Sequence, residues 1–188
     1  LGIGKDMVAE AFEDPAEWLL KEGRLPENVD PANSKLEDPE ERSRMARVFA
    51  YERAGKPEAA IRELRKLLKD RPDDPVVQNA LGYTLADRDQ SLDEAAALVG
   101  AALAQTPDSA AVLDSMGWVR FRQGRLTEAL EHLVRARDLG DDAEIDLHLG
   151  EVQWALGNRD QARKTWQEAL QRQPENARLK ERLERAGP

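Results

Sequence analysis

The chain has 188 residues, with 28 Lys/Arg against 37 Asp/Glu and a formal net charge of −9. That balance argues against a duplex-binding surface, which needs clustered cations to release counterions from phosphates. The absence of Cys excludes disulfides, thiolate metal sites and a Cys nucleophile, and no apolar run reaches the ~18 residues of a membrane span.

Charged residues make up 35% and aromatics 5% of the chain. This is lean for one thick core but suits a thin stack of amphipathic helices. The chain starts at Leu1 with no signal-peptide pattern, which suits a fragment or a processed form.

Residues 1–40 form an acidic leader with 4 Lys/Arg and 11 Asp/Glu. Lys5 to Glu13 reads as a short helix. Asp14-Pro15 reads as the N-cap and first position of a second, ending near Gly23. Residues 24–35, dense in Pro, Asn and Asp, read as irregular. Asp38-Pro39-Glu40-Glu41 restarts a helix with acidic residues in its first turn, which suits the dipole. Residues 41–74 reverse the balance, with 10 Lys/Arg and 7 Asp/Glu. The two charge blocks abut, so the leader either folds back on the segment after it or stays a solvated acidic arm.

From residue 41 the sequence repeats. Ala60, Ala95, Ala129 and Ala162 fall 35, 34 and 33 residues apart. Gly82, Gly117 and Gly150 form a second register, spaced 35 and 33. Pro72, Pro107 and Pro174 form a third, with Asp141 where a fourth Pro would fall. Within each period the apolar stripe is helical, as in Ala129, Leu130, Leu133 and Ala136. The expected units are helix-turn-helix pairs at 41–74, 75–109, 110–142 and 143–176. Gly turns end the first helix of each pair, and Pro stops the second. Residues 177–186 follow as a capping helix with Leu179 and Leu183 on one edge.

The period, together with Leu81-Gly82-Tyr83, Met116-Gly117-Trp118 and Leu149-Gly150-Glu151, resembles the tetratricopeptide repeat (TPR) over residues 41–186. The resemblance implies an all-α, right-handed superhelical solenoid of about four repeats. Residues 80–88, 113–124 and 148–155 are similar to the C-terminal repeats of proteobacterial outer-membrane TPR lipoproteins. That likeness implies a periplasmic, membrane-associated adaptor. Its partner would be a carboxy-terminal processing protease or the cell-wall hydrolases delivered to it. Glu13-Asp14-Pro15, Gly23-Arg24-Leu25-Pro26, Asn28-Val29-Asp30-Pro31 and residues 37–42 resemble a stretch of large bacterial proteins that carry a transglutaminase-like domain. If both likenesses hold, two ancestries join near residue 49.

In a TPR the first helix of each pair lines the inner groove. Phe49, Tyr83, Trp118, Phe121 and Trp154 recur there, beside Asn79, Asp114, Arg122 and Glu151. Rigid aromatics flanked by a few orienting polar groups suit a peptide-binding groove. Each aromatic taken singly equally suits inter-helix core. The expected function is therefore a non-enzymatic adaptor that binds a partner's peptide or helix. The alternative is a self-associating structural module, or an engineered scaffold without a specific ligand.

His132 and His148 are the only histidines. His148 and Glu151 stand at i, i+3, but no second helix offers another His, so no metal or other cofactor is expected. His132 reads as packed or half-exposed. Asp141, Asp142, Glu144 and Asp146 are explained by capping and the helix dipole. The chain has no G-x-S-x-G elbow and no phosphate loop, and Gly2-Ile3-Gly4-Lys5 lacks the preceding strand such a loop requires. The basic residues of the last helix suit the dipole and solubility.

Overall fold

The computed structural model describes residues 39–187, with side chains from Arg44 onward. The helices and irregular stretch expected in residues 1–35 lie outside the described residues.

Among the described residues the secondary structure is entirely helical. The elements are α1 (Pro39–Arg53), α2 (Pro57–Asp70), α3 (Pro75–Asp87), α4 (Leu92–Gln105), α5 (Ala110–Arg122), α6 (Leu126–Leu139), α7 (Ala143–Ala155), α8 (Arg159–Arg172) and α9 (Ala177–Ala186). The chain divides into two compact units, one ending at Pro72 and the other running from Asp73.

Local chemistry explains where the helices begin. Asp74 caps α3 by accepting from the amides of Val76 at 2.8 Å and Val77 at 3.4 Å. Ser109, Asp142 and Asn176 do the same for α5, α7 and α9. Such a cap satisfies donors that have no partner inside the helix. α2, α4 and α8 stop two residues before Pro72, Pro107 and Pro174. α6 lacks that Pro and ends instead at Gly140, whose backbone is extended.

Three of the turns inside pairs use Gly55, Gly124 and Gly157 at φ +66°, +76° and +85°. The turn after α3 has no glycine and places Asp89 and Ser91 at φ 54° and 44° instead. Positive φ is strained for a residue with a Cβ. At this turn Asp89 also accepts from Arg122 Nε at 2.8 Å.

In the unit that ends at Pro72, α1 and α2 pack as an antiparallel pair around Met45, Val48, Ala60, Leu64 and Leu67, all buried. In the unit from Asp73, helices pair as α3/α4, α5/α6 and α7/α8, and α9 packs on α8. The first helices also pack on one another, α3 on α5 and α5 on α7. Each second helix packs against the first helix that follows it, α4 on α5 and α6 on α7.

The core is accordingly a string of small clusters. One is Leu113, Ala136 and Ile145. The next is Ala129, Leu133, Leu149 and Val152, with Phe121 packed against it. The last joins Leu147, Ala162, Trp166 and Leu179, with Trp154 and Leu183 at its margin. Glycine lets the helices within a pair approach closely. A Cβ at Gly82 would lie 2.5 Å from Val99 Cγ2, and one at Gly150 would lie 2.0 Å from Trp166 Nε1.

Candidate functional site

The face formed by α3, α5, α7 and α9 carries most of the residues that the sequence singles out. One bond defines its geometry. The Tyr83 hydroxyl on α3 donates to Glu144 Oε1 on α7 at 3.2 Å, reaching past α5. Two helices separated by a third can share such a bond only if the layer curves toward their side chains. This face of the unit is therefore concave.

Glu144 is the hub of the polar network there. Besides Tyr83 it meets the Arg178 guanidinium from α9, and His148 Nε2 lies 3.4 Å from the same oxygen. His148 is fully buried, and its Nδ1 lies 2.9 Å from Asp114 Oδ1. Because a carboxylate only accepts, the proton of that bond sits on Nδ1. Trp118 stacks on the His148 ring at 4.2 Å and on Phe121 at 5.1 Å. Arg122 lies over the Trp118 ring, 5.4 Å from its centroid, and ties back to Asp89 and to the Asp87 carbonyl. Glu151 pairs with Arg182 of α9. Burial, and then the carboxylates of Glu144 and Asp87, push the Tyr83 hydroxyl far above the ordinary tyrosine range, so it remains a donor.

The expected groove residues fall into different roles. Tyr83, Phe121, Arg122 and Glu151 are half-buried on this face. Asp114 and Trp118 are buried at 6% exposure each, as supports beneath it. Trp154 stacks on Trp166 at 5.9 Å, with Arg159 and Arg163 laid over its ring, so its contacts are with α8. Asn79 is half-buried on α3, and its side-chain oxygen is buried without a hydrogen-bond partner. Phe49 is half-buried on α1 and belongs to the other unit. The structure therefore gathers Tyr83, Asp114, Trp118, Phe121 and Arg122 around His148, while Trp154 is turned to α8 instead.

Sequence reasoning passed over Glu144 as a cap residue, His148 as a weak metal candidate, and Arg178 and Arg182 as dipole charges. A signal was present. His148 follows Asp114 by 34 residues, and Arg178 follows Glu144 by 34. Residues one period apart on successive first helices stand side by side, so complementary charges at that spacing mark an inter-repeat pair.

Among the described residues no group of three or more His, Cys, Asp or Glu is arranged to hold a metal ion. Nor is any described helix long and apolar enough to cross a membrane. His132, half-buried on α6, has its pKa lowered by burial and by nearby Arg120.

Tetratricopeptide repeat family models match residues 46–110, 84–144 and 120–185. The chain belongs to the tetratricopeptide repeat proteins, whose extended surfaces serve as scaffolds for protein–protein interaction. A 90-residue stretch is 44% identical to the TPR repeat-containing protein PA4667 of Pseudomonas aeruginosa, covering 48% of this chain and 15% of that protein. TTC0263, a thermophilic TPR protein of Thermus thermophilus, superposes with a TM-score of 0.69 at 22% identity, over 91% of this chain and 86% of its own. MamA from Desulfovibrio magneticus RS-1 does so with a TM-score of 0.60 at 19% identity, over 94% and 99%. These two likenesses are of fold. A further family model, described as "Putative amidoligase enzyme (DUF2126)", matches residues 1–68. It overlaps the repeat models over residues 46–68, the end of α1 and most of α2.

Proposed function

We propose that this chain is a docking adaptor, and that the concave face of the unit from Asp73 holds a segment of a partner protein. The observation that carries this reading is the pair of ion pairs along one edge of that face. Arg178–Glu144 and Arg182–Glu151 join α9 to α7, with the two arginine side chains 52% and 33% exposed. Beside them stands the half-buried ring of Tyr83, bonded to Glu144, and on the same unit the half-buried Phe121 stacks on Trp118. A partner segment with apolar side chains for those rings and charges of both signs can exchange with the two pairs. It thereby gains contact without stranding a charge. Beneath, the Asp114–His148–Trp118 packing holds the face rigid, so little ordering accompanies binding.

The likeness to outer-membrane TPR lipoproteins supplies a candidate partner, a carboxy-terminal processing protease in the bacterial periplasm. The proposal is tested by calorimetric titration of such a protease into the chain. The same titration is run with an Arg178→Glu/Arg182→Glu variant whose circular dichroism matches the parent. Binding that the variant loses supports the docking face. Equal binding by both proteins removes the face from the reading, and absence of binding by either removes the protease. A pull-down from a proteobacterial envelope extract with the same pair of baits then separates a different partner from none.

A further inference from the structure

The turn between α3 and α4 departs from its siblings at one position. Two residues past the ends of α1, α5 and α7 stand Gly55, Gly124 and Gly157, each at positive φ. Two residues past α3 stands Asp89, at φ 54°. Glycine enters this region without the steric penalty that aspartate carries. The carboxylate is thus held at this turn against the local preference of the backbone.

Its partner is Arg122, the last residue of α5. Arg122 Nε donates to Asp89 Oδ1 at 2.8 Å, and Nη2 meets Oδ2. The remaining nitrogen, Nη1, donates to the Asp87 carbonyl at 3.1 Å, and the guanidinium lies 5.4 Å from the Trp118 ring centroid. The two side chains are exposed unequally, Arg122 at 20% and Asp89 at 63%. The guanidinium is therefore fixed by the fold, while the carboxylate meets it from the solvent side. This is a planar, two-pronged carboxylate receptor with a carboxylate already in it. An ion pair with so exposed a partner contributes little to stability. A second carboxylate can take the place of the first at small cost, and a displaced Asp89 passes to water rather than into the core.

We propose that Arg122 is a carboxylate-binding residue of the concave face, and that Asp89 is its built-in occupant, displaced by an Asp or Glu side chain of the docked segment. The inference rests on the docking reading above and adds the chemistry of the partner. The occupant already present is an aspartate side chain, so the incoming group is of the same class. Phe121, half-buried, next in the chain to Arg122 and stacked on Trp118, offers an apolar contact beside it. The segment that fits carries an acidic side chain next to an apolar one. Asp89 acts as a filter, because a neutral or basic segment cannot replace it on Arg122 and an acidic one must compete with it.

The test uses the full chain, an Asp89→Asn variant and three peptides in a Ser/Ala background. The first is blocked at both ends and carries one Phe-Asp step. The second carries Phe-Asn instead. The third has no acidic side chain and ends in a free carboxylate directly after Phe. Asparagine tolerates positive φ as aspartate does, so Asp89→Asn keeps the turn and removes the competing charge. Binding is read from the Nε–H resonance of Arg122 in nitrogen–proton NMR spectra, identified by its absence in an Arg122→Gln variant, or in Arg122→Lys if the first does not fold. The Phe-Asp peptide should move this resonance and bind roughly two- to fivefold tighter to the Asp89→Asn protein, the range an exposed ion pair commands. That preference should shrink with added salt. The Phe-Asn peptide should not distinguish the two proteins. Equal affinity of the Phe-Asp peptide for both proteins would overturn the proposal, as would an Arg122 resonance that no peptide moves. A response confined to the third peptide would assign Arg122 to a chain end and overturn it too. In each of these cases, protease binding that Arg178→Glu/Arg182→Glu abolishes would leave the docking face standing without Arg122, so the two failures are distinct.

Discussion

Gly150 on α7 faces Trp166 on α8, and replacing it with alanine tests how tightly the repeat pairs are packed. An added Cβ would lie 2.0 Å from Trp166 Nε1, 2.4 Å from Cε2 and 2.6 Å from Cδ1. The indole has little freedom to yield. Trp166 is 2% exposed, its Nε1 donates to the Leu147 carbonyl at 3.1 Å, and its ring stacks on Trp154 at 5.9 Å. Moving it forfeits the stack, at about 0.5–1.5 kcal/mol, and strands a buried carbonyl, at about 1–3 kcal/mol. Overpacking adds about 1–3 kcal/mol. Against these stands the better helix propensity of alanine, about 1 kcal/mol. The net expectation is destabilisation of about 1.5–6.5 kcal/mol, read from urea unfolding followed by far-ultraviolet circular dichroism. Gly100→Ala on α4 is the matched control. Its nearest neighbour would be Met116 Cε at 3.8 Å, ordinary contact, so propensity alone acts and stability rises by about 0.5–1 kcal/mol. A Gly150→Ala protein as stable as the parent, or a destabilised Gly100→Ala protein, would refute this account of the packing. In a double-mutant cycle the cost of Gly150→Ala should largely vanish when Trp166 is also alanine.

Three further outcomes are expected. Tyr83 has its hydroxyl pKa raised by burial and by Glu144. The unfolded chain therefore releases that proton above pH ~10 while the folded chain keeps it, and stability falls by up to about 1.4 kcal/mol per pH unit in that range. Tyr83→Phe should remove that component of the slope in urea titrations run between pH ~9 and ~11. Arg172→Met leaves Asp146, 3% exposed, without its ion-pair partner. The cost should be about 2–3 kcal/mol at neutral pH, below the ~3–5 of a fully buried pair because Arg172 is half-exposed. It should shrink toward acid pH, because burial already raises the Asp146 pKa and removing the cation raises it further. Asp74→Ala removes the cap of α3 and should lower stability by about 1 kcal/mol in the same assay, with Asp74→Asn nearly neutral.

The helix pairs were legible because their determinants are local. Alanine, glycine and proline registers near 34 residues mark where one helix must approach another, turn or stop. The helices begin and end within a few residues of those marks, and α9 occupies the predicted capping segment. The concave face was less legible because hydropathy does not tell a support from a contact. Trp118 and Trp154 have the spacing of groove anchors. Trp118, however, is consumed by His148 and Phe121, and Trp154 by Trp166 and two arginines. His148 looked isolated because its partner Asp114 lies a full repeat earlier. Glu144 looked like a cap residue because the two donors that converge on it, Tyr83 and Arg178, come from two other helices, which no single-helix reading reveals.

The bond from Tyr83 to Glu144 has a thermodynamic consequence. A repeat array is usually described by one free energy per unit and one per nearest-neighbour interface, in the manner of a one-dimensional Ising chain. Tyr83 and Glu144 are 61 residues apart and belong to pairs with α5/α6 between them. Their contact is a next-nearest-neighbour term that such a description omits. It makes the outer pairs sense each other's folding directly, so unfolding of the middle pair also breaks a bond between its neighbours. The array from Asp73 should accordingly melt more sharply than its separate interfaces would imply, and cutting this one bond should broaden the transition as well as lower its midpoint.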